Sequence, residues 1–200
     1  MRARLALASA GIQVALREVV LRDKPREMIE VSPKATVPVL VLLDGRVVDE
    51  SLDVMKWALS ENDPERWLDA DPDQTDELIK ASDGPFKHHL DRYKYANRYD
   101  GAVAETHRAE ASVYLHQLDH QLGQTSWLCG ANGSLADYAI LPFVRQFANT
   151  DREWFDAQDW PYLRAWLEKF LASHRFKSVM EKYPQWQSGA RDVDFPEMIE

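Results

Sequence analysis

Pro38 stands between a loop and an apolar run, in Ser32-Pro33-Lys34-Ala35-Thr36-Val37-Pro38-Val39-Leu40-Val41, and limits what this region can fold into. A proline cannot donate to a sheet ladder and its φ is fixed, so it belongs at a strand's first residue or edge. The X-Pro bond is also where a cis peptide is accessible, and the cis form would turn the Val37 backbone outward. Asp44-Gly45 is a strong hairpin signal, which predicts strands at about Val39–Leu43 and Arg46–Val48. The second strand ends at Asp49-Glu50-Ser51, and Leu52, Met55 and Leu59 then fall on one face of a helix that begins near Ser51. A helix start offers free N–H groups and a positive dipole end. Strand, proline and helix start together describe a pocket for an extended, peptide-like anion.

The rest of the chain divides around this stretch. Met1, Leu5 and Ala8 lie at helical spacing, and Gly11 sits where a helix C-terminus wants it. No capping residue precedes Met1, so this helix has a stop but no start. Val14 to Leu21 reads as a strand, and Lys24-Pro25 opens a short helix to about Val31. Residues 1–60 therefore form an α/β domain, and the polar stretch 61–75, with Pro64 and Pro72, reads as a linker. Residues 76–186 are helical throughout: Asp76 to Asn97 with a kink or break at Asp83-Gly84-Pro85, then Glu105 to Leu122, Ser134 to Ala148, Tyr162 to Ala172, and Arg175 to Lys182. The second of these carries Ala111, Leu115, Leu118 and Leu122 as a stripe. Residues 187–200 form an acidic tail, expected to be loosely held.

Composition excludes several functions. A net charge of −9 argues against binding a nucleic-acid backbone, which needs a basic footprint. No apolar run reaches membrane-spanning length, and no secretory signal precedes the first helix. The single cysteine, Cys129, rules out an intrachain disulfide framework, and a cytoplasmic location follows as the default.

Gly133-Ser134-Leu135-Ala136-Asp137 contains a capping box: Ser134 accepts from the Asp137 N–H while the Asp137 carboxylate reaches back to the Ser134 N–H. Such a start signal is worth about 1 kcal/mol and its role is structural. Three motifs, in order, resemble the glutathione transferase family. They are Pro33 to Leu40, the Glu50-Ser51 pair after the hairpin, and the segment Ser134 to Phe143. The resemblance spans Met1 to about Trp186. It implies an α/β plus all-α architecture, a truncated thioredoxin-like domain followed by a glutathione transferase-type helical domain. It also implies glutathione as co-substrate. Val37 and Pro38 would meet its cysteinyl backbone. Glu50 and Ser51 would hold its γ-glutamyl group, Glu50 through the ammonium. Lys34 and Thr36, beside the proline, would lie near its glycine end. The second substrate would be a small electrophile, conjugated or reduced in a detoxification-type reaction, and a homodimer follows by analogy.

The family pattern opens with a strand ahead of the first helix and places its catalytic Tyr, Ser or Cys there. The catalytic residue is therefore expected upstream of Met1, and the chain by itself is expected to be inactive. Three explanations are open. Met1 is an internal methionine of a longer protein; or the chain is a non-catalytic relative, with the gap filled by a rearranged or borrowed strand; or a working thiol or hydroxyl comes from elsewhere in the chain. The alternative function is a non-catalytic binding or regulatory protein acting through a protein partner.

Other chemistry-bearing residues favour plain roles. Cys129 has no CxxC partner and no cationic neighbour in sequence, so it reads as a small buried hydrophobe. His88-His89 cannot both turn onto one metal, and His116 with His120 lacks a third ligand, so no metal site is expected. Tyr93, Tyr95 and Tyr99, with Arg92 and Lys94, lie on a helix that lines the electrophile pocket in the family; a packing role is as well supported.

Overall fold

A computed structural model describes residues 1–197. The chain divides into two units. One joins Met1–Glu65 to the segment from His174 onward, and the other is Arg66–Ser173.

The first unit opens with α1 (Arg2–Ala10), which buries Leu5, Ala6 and Leu7 and ends at Gly11. Gly11 has φ 65°, and its N–H closes onto the carbonyls of the last turn. That left-handed geometry is what the glycine is for. Next come β1 (Val14–Leu16), α2 (Arg26–Val31), β2 (Leu40–Val41), β3 (Val47–Val48) and α3 (Ser51–Glu61). β2 and β3 form a hairpin in which Leu40 faces Val48 and Val41 faces Val47. Its turn is closed by Asp44 and Gly45 as the sequence predicts: the Arg46 N–H donates to the Asp44 carboxylate at 3.0 Å, and Gly45 has φ 87°. α3 buries Val54, Met55, Ala58 and Leu59, and α1 packs against it.

The second unit is helical: α4 (Pro72–Ala81), α5 (Lys87–Lys94), α6 (Ala104–Leu122), α7 (Leu135–Ala148), α8 (Arg152–Asp156) and α9 (Pro161–Ala172). Its core gathers the α6 stripe of Ala111, Leu115, Leu118 and Leu122, with Ile140, Leu141 and Val144 of α7 and Leu163 and Leu167 of α9. Two features differ from the sequence expectation. Asp83-Gly84-Pro85 does not break the chain's helical path; Ser82–Phe86 forms a π-helical turn between α4 and α5. The wider turn accommodates a proline that would otherwise clash with the preceding carbonyl. The expected linker is also more ordered than its polarity implied. Trp67 is buried at 1 % exposure and stacks on Tyr138 with ring centres 3.9 Å apart, and its carbonyl accepts the Leu135 N–H at 3.0 Å. Asp71 then caps α4 through the Gln74 N–H, with Pro72 in the first turn, so that helix starts before Asp76.

The chain returns to the first unit after Ser173. α10 (His174–Val179) packs on α1, and β4 (Val193–Phe195) pairs antiparallel with β1, Val14 opposite Phe195 and Leu16 opposite Val193. Over the described residues this corrects the expectation of a helical domain running to Trp186 and a loosely held acidic tail; positions 198–200 of that tail lie outside the described residues. The segment is tied down by contacts distant in sequence, which local composition does not register. β1 is correspondingly shorter than Val14 to Leu21. It ends at Leu16, and the Glu18 carbonyl accepts the Trp186 N–H at 2.8 Å. Among the described residues no helix is long and apolar enough to cross a membrane.

Candidate functional site

The site is built where the loop before β2 faces the start of α3. The Val37–Pro38 peptide is cis, and Val37 is 48 % exposed. Among the described residues no hydrogen bond uses the Val37 N–H or carbonyl, so both are available to a ligand with a backbone of its own. Pro38 sits just ahead of β2, in the position its missing donor demands.

Glu50 is the N-cap of α3, and Ser51 is its first residue. No side chain caps this helix, so its first N–H groups are open, with the positive end of the helix dipole behind them. The only acidic residue in the first turn is Asp53. Lys34 bridges to the same corner: its ammonium lies 3.0 Å from Glu50 Oε1 and 3.1 Å from Asp49 Oδ1. Asp49 is itself fixed by the hydroxyl of Ser32, which donates to Oδ2 at 2.9 Å from a fully buried position. Glu50, then Asp49, hold the Lys34 ammonium above its usual pKa. Lys34, then Ser32, hold the Asp49 carboxyl below its usual value.

The structure thus brings Lys34, Glu50 and Ser51 to one corner and leaves Val37 and Pro38 open on the adjoining loop. Two residues that the sequence reading gave no role hold this corner in place. Ser32, at the end of α2, holds Asp49, and Asp49, just past β3, pairs with Lys34. The two residues stand 17 positions apart, one at the end of α2 and one just past β3, and nothing local says they will meet. Thr36 lies on the same loop, between Lys34 and Val37.

The chain matches the model of the glutathione S-transferase N-terminal domain over residues 1–67 and that of the C-terminal domain over residues 100–169. Together these cover more than half of it. The chain belongs to the glutathione transferase family. Glutathione is the co-substrate of that family. Among curated relatives, it is similar to a probable glutathione S-transferase, parA, of Nicotiana tabacum, at 25 % identity over 92 % of this chain and 84 % of that protein. It is also similar to glutathione S-transferase U19 of Arabidopsis thaliana, at 25 % identity over 98 % and 93 %. Solved structures of this fold include BphK, a bacterial transferase, with a TM-score of 0.75, 20 % identity, and 89 % and 91 % of the two chains covered. Another is a family member from Pseudomonas fluorescens with two glutathione molecules bound, with a TM-score of 0.73, 18 % identity, and 88 % and 85 % covered. In family terms the first unit carries the N-terminal module and the second carries the C-terminal one.

The capping box at the start of α7 is present and is larger than its sequence signature. Asp137 is fully buried. Its carboxylate accepts from the Ser134 N–H at 2.9 Å, the Ser134 hydroxyl at 2.7 Å, the Leu128 N–H at 3.0 Å and the Trp166 indole N–H at 3.0 Å. Burial pushes its pKa up, and the four donors oppose that shift. It joins the Leu128 loop, the start of α7 and α9, which is structural work within the second unit.

The remaining candidates take plain roles. Cys129 is partly buried beside the Thr75 hydroxyl at 3.7 Å, and burial raises its thiol pKa, the opposite of an activated nucleophile. His116 accepts the Trp160 indole N–H, and His89 and His107 face each other at 2.9 Å between α5 and α6. No group of three ligating side chains converges among the described residues. Tyr93 packs on Phe147, Arg92 stacks on Tyr99, and Arg98 stacks on Tyr95, all within the second unit.

Proposed function

We propose that this chain binds glutathione at the corner made by Lys34, Val37, Pro38, Glu50 and Ser51. The observation that carries the reading is the open start of α3, where Glu50 and Ser51 stand beside uncapped N–H groups with Lys34 across from them. A γ-glutamyl end carries both a carboxylate and an ammonium. The helix N–H groups and the Ser51 hydroxyl suit the carboxylate, and Glu50 suits the ammonium. The free Val37 N–H and carbonyl suit an extended peptide backbone, which is a strand-addition contact. Lys34 suits the carboxylate at the glycine end, reached once its hold on Glu50 is exchanged for the ligand's own ammonium. Asp49, fixed by Ser32, keeps Lys34 near the corner through that exchange.

Family membership supports a reaction in which glutathione's sulfur attacks a small electrophile or a mixed disulfide, in a cytoplasmic homodimer. The structure of the Pseudomonas fluorescens family member, with its two bound glutathione molecules, supports the ligand. Calorimetric titration of the full chain with glutathione tests the site. Glu50→Gln is expected to weaken binding about tenfold, roughly 1.4 kcal/mol, and Ser51→Ala about fivefold. Absence of saturable binding by the unaltered chain, or binding indifferent to both substitutions, refutes the assignment.

A further inference from the structure

Residues 183–195 have no secondary structure of their own before β4, and are held by the opening segment of the chain. The β1–β4 ladder, the Trp186 N–H on the Glu18 carbonyl and the Gln185 amide on Asp23 make part of that hold, and two arginines add to it. Arg4 of α1 donates to the Val179 and Glu181 carbonyls at 3.4 and 3.3 Å, pairs with Glu18 at 2.5 Å, and stacks on Tyr183 and Phe195 at 5.2 and 5.6 Å. Arg17 forms a two-pronged pair with Asp192 at 2.8 and 3.2 Å and lies 4.6 Å over the Trp186 ring. Every aromatic side chain from 183 to 195 is therefore met by one of two guanidinium groups. The segment's two apolar anchors, Trp186 and Phe195, are at least nine-tenths buried, while the Arg17–Asp192 pair stays half exposed.

We propose that residues 183–195 are a detachable strap, latched by Arg17 and Arg4, that completes the β1 layer of the first unit and holds α1 in place. Seated, the strap covers the β1 edge that β4 pairs with and clamps the first turn of α1. Released, it uncovers that edge and loosens α1. α1 packs on α3, so strap seating also tunes the Glu50–Ser51 helix start; this last link rests on the glutathione reading above. The latch is an exposed ion pair with cation–π support, so salt weakens it while leaving the apolar anchors intact.

Hydrogen exchange on the full chain tests the strap. Asp192→Arg sets two cations face to face and is expected to speed exchange of the Val14–Leu16 and 193–195 amides about threefold to fivefold, with Ile140–Val144 of α7 unchanged. The exchanged pair, Arg17→Asp with Asp192→Arg, is expected to restore slow exchange. On the unaltered chain 0.5 M salt is expected to speed the same amides, which needs no variant to fold. Unchanged β1 exchange in both the single variant and the salt arm overturns the strap, as does speeding spread evenly through both units. Glutathione titration of the same proteins tests the link to α3: affinity is expected to fall about threefold in Asp192→Arg and to recover in the exchanged pair. Full affinity with an open strap overturns the link alone, whereas no binding by the unaltered chain refutes the glutathione site and leaves the exchange result standing.

Discussion

Asp49 makes the least conspicuous contribution to the candidate site, and its ionisation reports whether the corner is assembled. Lys34 and Ser32 both donate to its carboxylate, and its pKa lies below the ordinary carboxyl value of about 3.9. A carboxyl with a depressed folded-state pKa contributes stability that is complete above the unfolded value and is lost as pH falls through the folded one. The Lys34 ammonium is shifted the other way, upward, so its share is complete below about 10.4 and is lost as pH rises through its folded value. Between those limits the pair is intact, and neutral pH lies well inside them. Replacing Lys34 by Met removes the largest cause acting on Asp49 and leaves the Ser32 bond. Carbon-detected NMR titration of the Asp49 carboxyl is expected to show its pKa rising toward the ordinary value in Lys34→Met. An unmoved titration would show that Lys34 does not rest on Asp49 in solution.

At the scale of elements, α7 depends on one buried carboxylate. Asp137→Ala would leave the Leu128 and Ser134 N–H groups and the Trp166 indole N–H without their acceptor inside the second unit. Each bare buried donor costs roughly 1–3 kcal/mol, and the combined loss, after partial relaxation, is expected near 4 kcal/mol. Asp137→Asn keeps an acceptor oxygen and is expected to cost about half as much. Urea unfolding of the two variants checks the order; an alanine no worse than the asparagine would mean the carboxylate holds nothing together. This helix start was legible because Ser134 and Asp137 lie three residues apart and signal each other locally. The same holds for Gly11, for Asp44-Gly45 and for Pro38, each fixed by its own backbone needs. What was not legible lies in pairs far apart along the chain. Trp166 reaching Asp137, Trp67 stacking on Tyr138, Ser32 bracing Asp49 and Val193–Phe195 pairing with β1 leave no trace in local composition. The polar stretch around Trp67 and the acidic tail read as loose segments for that reason.

The two units differ in how the chain enters them, and this sets what each can do alone. Arg66–Ser173 is one continuous segment, whereas the first unit needs Met1–Glu65 and the segment from His174 onward. The continuous unit contains its own cap network at Asp137, its buried Trp67, Phe86, Phe147, Phe155 and Trp160, and helices that satisfy their own backbone groups. Segment 1–65 alone would keep the β2–β3 hairpin and lose β4, so β1 would have no strand beside it among the described residues. An isolated two-stranded hairpin is marginal in water, and an unpaired edge strand invites association. A fragment of residues 66–173 is therefore expected to be helical by circular dichroism and to unfold in one cooperative urea transition. A fragment of residues 1–65 is expected to lack a cooperative transition until a peptide of residues 174–197 is added. The peptide supplies α10 and β4 with Arg17's partner Asp192, so it restores contacts that no change of solvent can supply. Cooperative unfolding of 1–65 without the peptide would mean that α1, α3 and the hairpin suffice for this unit. A gradual, non-cooperative melt of 66–173 would mean that the helical unit draws its stability from outside its own segment.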